Sequence, residues 1–176
     1  AYYLSISIVI FIAVYHYKVK FDNIFNLSFK PFPKVSLFIF GIIFPALLPL
    51  GVILNKAQYV PEQFFLYILF LSLMNPVFEA RLWRGLLSNI PMSNWFKILY
   101  SSVLFAFSHY FFWDYWYRDS FVTLTTVIST FIMGVCWMWF YLKRKNLIYP
   151  IISHFFVDVF NLSVAIYVGV IPLHFF

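Results

Sequence analysis

Long apolar runs dominate the chain, and polar residues are concentrated in the short stretches between them. The six runs are Tyr2–Tyr17, Val35–Leu54, Phe64–Asn89, Trp95–Trp113, Ser120–Leu142 and Ile148–Ile171. A helix needs about 20 apolar residues to cross a bilayer, and these runs are too long and continuous for barrel strands. Because only helices or closed barrels satisfy the backbone in lipid, the pattern predicts an all-α, polytopic transmembrane helical bundle with about six membrane segments.

The organisation of the runs indicates one unit. No internal repeat and no low-complexity tract separates them, so we expect residues 1–176 to form a single membrane-embedded domain. The first run is the shortest, and we expect it to be the end of a helix that starts upstream of Ala1. It lacks the basic n-region and the small-residue cleavage site of a signal peptide.

Composition supports the membrane assignment. The chain is 64% hydrophobic and only 10% charged, whereas soluble domains carry about 25% charged residues. The single cysteine, Cys136, excludes an internal disulfide. The net charge of +6 does not indicate nucleic-acid binding, because the basic residues lie in short loops between apolar runs, as membrane orientation requires.

The basic residues also predict a topology. Alternate loops carry ten and two of the 12 lysines and arginines. The positive-inside rule places the richer loops in the cytoplasm. We therefore expect a multi-pass protein of the cell membrane with cytoplasmic basic loops and both termini of this chain outside.

Glu79, His109 and His154 are ionisable side chains that lie deep inside apolar runs. Such residues are costly in hydrocarbon and usually mark function. At 1.5 Å per residue, they lie roughly 14 to 18 Å from the cytoplasmic ends of their helices. Because they share one depth on different helices, we expect them to converge on a polar site inside the bundle.

Local spacing adds companions to two of these groups. His154 and Asp158 are related as i and i+4, so they share a helical face, and a carboxylate there can fix the tautomer and orientation of an imidazole. Phe105 lies one turn before His109 and is suited to pack beneath it.

One glutamate and two histidines in a hydrated pocket suit hydrolysis. The carboxylate can act as a general base on water, and an imidazole can stabilise an oxyanion. Alternatively, Glu79, His109 and His154 form a set of zinc ligands with an open fourth position. The sequence has no H-E-x-x-H and no G-x-S-x-G motif.

Three short motifs resemble those of one family. Glu79–Gly85 resembles an E-E-x-x-x-R-G motif, Phe105–His109 matches F-x-x-x-H, and His154–Asp158 matches H-x-x-x-N/D. Their order and separations resemble the CPBP family of intramembrane proteases, which is related to the type II CAAX prenyl endopeptidase and to bacteriocin-immunity (Abi) proteins. The resemblance covers a core of about residues 60–165.

The resemblance implies a role for each motif residue. Glu79 would activate water with help from His109, while His154 and Asp158 would form the oxyanion side of the site. Arg84 would be a structural or electrostatic support. Both a metalloprotease and a metal-free glutamate mechanism are consistent with such a family, so the cofactor is a divalent metal such as zinc or none.

Two positions depart from the family pattern. Ala80 replaces the usual second glutamate of the first motif, which leaves no paired carboxylate there. Asp158 stands where asparagine is common. Because an ionised carboxylate would repel an oxyanion, Asp158 must be protonated, orient His154 or bind a metal.

Structural interpretations compete with this assignment. Glu79 could form an ion pair with Arg81 or Arg84, although in an α-helix Arg84 lies off the Glu79 face. His154 and Asp158 could be an interhelical clamp. The aromatic run Trp137–Tyr141 is expected to face lipid or to pack.

The sequence therefore predicts an intramembrane endopeptidase. Its partners would be the lipid bilayer and a membrane-associated or hydrophobic peptide or protein substrate. A non-enzymatic membrane scaffold or bacteriocin-immunity protein is the alternative that Ala80 supports. A small transporter with a proton relay through Glu79 and Asp158 is a further one.

Overall fold

The computed structural model describes residues 2–19, 34–47, 65–114 and 120–167. All regular secondary structure in these ranges is helical. The helices are α1 (Tyr2–Tyr15), α2 (35–47), α3 (Phe65–Ala80), α4 (Asn94–Asp114), α5 (Ser120–Arg144) and α6 (Ile148–Tyr167). This confirms the all-α prediction. The ends of the second and sixth predicted segments, up to Leu54 and Ile171, lie outside the described residues.

Two helical stretches of the described residues are long and apolar enough to cross a membrane. They are Phe65–Asn89, which includes α3, and Leu124–Arg144, which includes most of α5. Tyr3–Tyr15 in α1 is apolar but shorter. The structure thus contains membrane-capable helices, while the number of six spanning segments stays a prediction.

Polar side chains at the helix ends fix where α4 and α6 begin. The Ser93 hydroxyl accepts a hydrogen bond from the amide of Phe96 at 3.3 Å, as an N-cap residue does. Asn146 accepts from the amide of Ile148 at 2.8 Å. Pro150 lies in the first turn of α6, where its missing N–H removes no helical hydrogen bond.

Two π-helical turns interrupt the helices. In α2, α-helical turns at Val35–Phe38 and Phe44–Leu47 flank a π-helix at Ile39–Ile43. Following α3, a π-helix at Arg81–Leu86 leads into a 3₁₀ turn at Leu87–Asn89. Such wide turns occur frequently at functional sites.

Serines from neighbouring helices bond to carbonyls within these wide turns. Ser153 donates to the carbonyl of Ile42 at 2.7 Å, and Ser101 donates to the carbonyl of Trp83 at 2.6 Å. Each π-helix is therefore held by a side chain that lies far away in the sequence.

Close helix pairs place the polar residues. Helices α4 and α5 pack along each other, and a Cβ at Gly134 would lie only 3.1 Å from the Cα of Ser102. Helix α3 packs along α6, and α1 packs against α3 and the π-helix that follows it. The α3–α6 pair is the one that carries Glu79 and His154.

The aromatic run in α5 belongs to the protein interior. Trp137 and Phe140 are fully buried, and Tyr141 is 2% exposed. The run was expected to face lipid or to pack, and these three residues pack. An α5 residue is therefore available to contact the polar residues of α6.

Candidate active site

Helices α3 and α6 bring a buried carboxylate and a buried imidazole together. Glu79 and His154 are 2% and 3% exposed. Oε2 of Glu79 lies 3.8 Å from Nε2 of His154, which is beyond a good hydrogen bond but brings the two side chains into direct proximity. Their equal predicted depth anticipated this proximity.

Asp158 extends this contact on the same helix as His154. Its Oδ1 lies 3.2 Å from Nε2 of His154, and its Oδ2 accepts a hydrogen bond from Asn75 at 2.9 Å. Both carboxylate oxygens thus act as acceptors. Nε2 of His154 is then the nitrogen that carries hydrogen, because a carboxylate can only accept there.

Asn75 is a site residue that the sequence analysis missed. It lies four residues before Glu79 and therefore on the same face of α3. That i,i+4 spacing was a signal available in the sequence. The adjacent Pro76 is buried within α3 and provides no N–H for the carbonyl one turn earlier.

His109 belongs to the aromatic side of the site. Its Nδ1 lies 2.9 Å from the carbonyl oxygen of Phe105, so Nδ1 carries the hydrogen and a neutral His109 has its lone pair on Nε2. The phenyl ring of Phe105 packs against the imidazole at 4.5 Å between centroids, as its spacing predicted. The described contacts of His109 are to Phe105 and Ser108 and do not include Glu79.

Two buried aromatic rings connect the polar groups. The Phe105 centroid lies 6.0 Å from that of His154, and the Trp137 ring stacks on His154 at 4.6 Å. The guanidinium of Arg84 lies over both rings, at 4.4 Å from Phe105 and 4.7 Å from Trp137. Such contacts stabilise a buried arginine.

Arg84 lies in the π-helix at Arg81–Leu86 that follows α3, whose turns are wider than those of an α-helix. Arg84 is 1% exposed. Its cation is therefore part of the buried cluster that contacts His154 through Trp137.

Tyr3 of α1 lies at the edge of this cluster. Its ring packs at 5.0 Å between centroids against Phe78, which directly precedes Glu79. Tyr3 stands in an apolar run and belongs to none of the three motifs, so the sequence analysis did not single it out.

Ala80, at the second position of the first motif, lies in an apolar cluster and not at the Glu79–His154 contact. Ala80 is 1% exposed and packs in an apolar cluster with Ile98, Met138, Tyr141 and Leu147. The side chain that would replace it in the family pattern would therefore enter this apolar cluster instead of the Glu79–His154 contact.

The described residues do not fit the predicted metal site. Among them, no group of three or more His, Cys, Asp or Glu side chains is arranged to hold a metal ion. The Nε2 of His154 is already directed at two carboxylates. The three predicted ligands Glu79, His109 and His154 thus do not form one coordination set.

Comparison with known protein families gives a match to part of the chain. The family model described as type II CAAX prenyl endopeptidase Rce1-like matches residues 61–160, which include all three motifs. No curated protein and no solved structure matches the chain significantly.

Proposed function

Because the chain belongs to the type II CAAX prenyl endopeptidase Rce1-like family, we propose that it is an intramembrane endopeptidase. It hydrolyses a peptide bond of a membrane-associated or hydrophobic peptide. The observation that supports this most is the buried contact of Glu79 with His154, at 3.8 Å across two helices. A base and a nearby N–H donor are what amide hydrolysis requires.

Glu79 is the proposed general base. Its carboxylate takes a proton from a water molecule as the water oxygen attacks the carbonyl carbon of the substrate. The same proton then passes to the leaving amine nitrogen when the C–N bond breaks. His109 holds the attacking water by accepting a hydrogen bond at Nε2, which is available because Nδ1 donates to Phe105.

His154 is the proposed donor to the oxyanion. Its Nε2–H is directed at Asp158 and Glu79, and from this fixed position it also donates to the carbonyl oxygen of the substrate as negative charge develops there. Asp158 acts through His154 by fixing which nitrogen carries the hydrogen, and Asn75 holds Asp158 in place. Of the roles open to Asp158, its contact with His154 supports the orienting one. Arg84 supports the aromatic rings on which both histidines pack.

The setting of this chemistry is a lipid bilayer. The proposed protein crosses a cell membrane several times, with its basic loops in the cytoplasm and both termini of this chain outside. The partners of the protein are the substrate peptide and the lipid bilayer. The family name indicates a CAAX-type C-terminal peptide as the first substrate class to test.

Hydrolysis can be tested directly with the full chain in proteoliposomes. The probes are a prenylated CAAX peptide and its unprenylated counterpart, incubated in ¹⁸O-labelled water and followed by mass spectrometry. We expect a single cut with ¹⁸O in the new carboxylate, absent from a Glu79→Gln preparation. If neither peptide nor any of a panel of hydrophobic peptides is cut, the non-enzymatic scaffold or immunity role replaces this proposal.

Chelation tests the choice between a metal and a metal-free mechanism. Because the described side chains do not form a three-ligand set, we expect a chelator to leave the cleavage rate unchanged. The measurement is peptide cleavage after dialysis against chelator, with a zinc peptidase treated in parallel as the control. Loss of activity that added zinc restores would contradict the metal-free mechanism.

The missing second glutamate gives a further prediction. Ala80→Glu would place a carboxylate in the apolar cluster around Met138 and Tyr141, so we expect destabilisation of about 3 kcal/mol and no gain in cleavage rate. Thermal unfolding in detergent measures the loss of stability. Ala80→Ser, which keeps the size close to that of alanine and adds no charge, is the control. An Ala80→Glu protein that is equally stable and more active would show that this position serves the chemistry.

A further inference from the structure

Trp137 contacts His154 in a way that fixes the imidazole plane. The indole is fully buried in α5, and it stacks on the imidazole with a 4.6 Å centroid distance and an interplanar angle of 29°. Its Nε1 donates a hydrogen bond to the hydroxyl of Ser153 at 2.9 Å. Because Ser153 directly precedes His154, the indole holds both the ring of His154 and the backbone that carries it.

The hydrogen bond from Trp137 continues into α2. The Ser153 hydroxyl has one hydrogen, and it donates this to the carbonyl of Ile42 at 2.7 Å. The direction is therefore fixed as indole N–H to hydroxyl to carbonyl, since the carbonyl can only accept. We call this series of two hydrogen bonds, from Trp137 through Ser153 to Ile42, the indole relay.

Glycine lets α2 approach closely enough to complete the relay. A Cβ on Gly41 would collide with the ring of Phe140 in α5, so a larger residue would push the helices apart. Ile42 and Gly41 lie before the residues 61–160 that match the family model. The relay thus connects the motif-bearing helices to a part of the chain outside the matched region.

A reacting histidine needs such a support because its ring can flip about Cβ–Cγ, which places ring carbons where the nitrogens had been. Asp158 and Glu79 both act on Nε2, and a flipped ring would present a different atom to them. Arg84 also lies over the indole, at 4.7 Å. The indole is therefore the surface that the cation and the imidazole share.

We propose that Trp137 is a positioning residue for His154, anchored by the indole relay, so that Nε2 stays directed at the carboxylates and at the substrate. The effect on kcat that this inference predicts rests on the proposed peptidase function. The effect on the His154 tautomer does not depend on that function. The Trp137 side chain touches no reacting atom in this scheme and acts through His154 alone.

Variants of the relay test the proposal. Trp137→Leu removes both the stacking ring and the donor, and we expect kcat to fall about 100-fold with little change in KM, because small misplacements of reacting groups have effects of this size. Trp137→Phe keeps a ring but loses the N–H, and Ser153→Ala breaks the relay from the other side. We expect both to lose about tenfold, as supports one contact away from a reacting group do.

Nitrogen NMR of His154 decides the proposal independently of catalysis. In the full chain with ¹⁵N-labelled histidine, the His154 signal is assigned by its loss in His154→Ala. We expect the Nε2–H tautomer in the wild type and a mixture of tautomers in Trp137→Leu, with Trp137→Phe in between. Trp139→Leu, on the same helix but in the cluster around Met138, is the matched control and should resemble the wild type.

The outcomes separate this inference from the proposed function. A His154 spectrum that is unchanged in both Trp137 variants would overturn the positioning role, whatever the activity. If the wild type cuts no peptide but its His154 tautomer still responds to Trp137, the peptidase proposal fails and the positioning role stands.

Discussion

Glu79→Gln is expected to lower the rate of peptide cleavage by about a thousandfold, because a positioned general base contributes roughly 10² to 10⁴ in rate. Glutamine has the same size and keeps the packing of a side chain that is 2% exposed. It cannot take a proton from water at neutral pH. The loss should fall on kcat, with KM nearly unchanged, because the base acts only in the transition state.

The controls for this prediction address folding and geometry. The free energy of unfolding of Glu79→Gln should be no lower than that of the wild type, because removing a buried charge also removes its desolvation cost. Thermal unfolding measures this. Glu79→Asp keeps the carboxylate but withdraws it by one methylene, so its rate should lie between those of the wild type and Glu79→Gln. A Glu79→Gln protein that cleaves at the wild-type rate would exclude Glu79 as the base.

The positions of the helices could be predicted well from the sequence. Apolar runs bounded by polar loops locate a helix in lipid or in protein equally well. Two helices begin within one residue of the predicted segments, namely Asn94–Asp114 and Ser120–Arg144. The contact between His154 and Asp158 follows from i,i+4 spacing alone. These features depend on local geometry, which the sequence encodes directly.

Trp137 and Arg84 show why the rest of the site could not be predicted. A helix that is apolar on every side gives no periodic signal to separate its lipid-facing surface from its buried one. The burial of Trp137 is decided by which helix packs against α5. The π-helix at Arg81–Leu86 is likewise held by contacts between distant residues, such as the Ser101 bond to Trp83.

Asn75 and Asp158 illustrate an intermediate case. Each shares a helix face with a predicted site residue, Asn75 with Glu79 and Asp158 with His154, although the sequence analysis named only the second pair. Their hydrogen bond at 2.9 Å depends on α3 and α6 packing side by side, and no single helix contains that information. The estimated depths placed Glu79, His109 and His154 at one level. They could not show that the described contacts of His109 would be with Phe105 and would not include Glu79.

His154→Ala is expected to reduce kcat by about 10² to 10³, the usual effect of removing one oxyanion donor. Asp158→Ala should cost less, about tenfold, because it removes only the group that orients His154. Asp158→Asn keeps an oxygen that can accept from Nε2 of His154, and it should remain close to the wild type. Initial rates of peptide cleavage in proteoliposomes measure all three.

The double variant tells orientation apart from direct catalysis. If Asp158 acts only through His154, then Asp158→Ala has no further effect in a His154→Ala background, and the two losses are strongly non-additive. Two independent roles would instead multiply the losses. Multiplicative losses would therefore contradict the orienting role of Asp158 and assign it a separate task at the reacting atoms, while leaving the contact of Glu79 with His154 as the centre of the site.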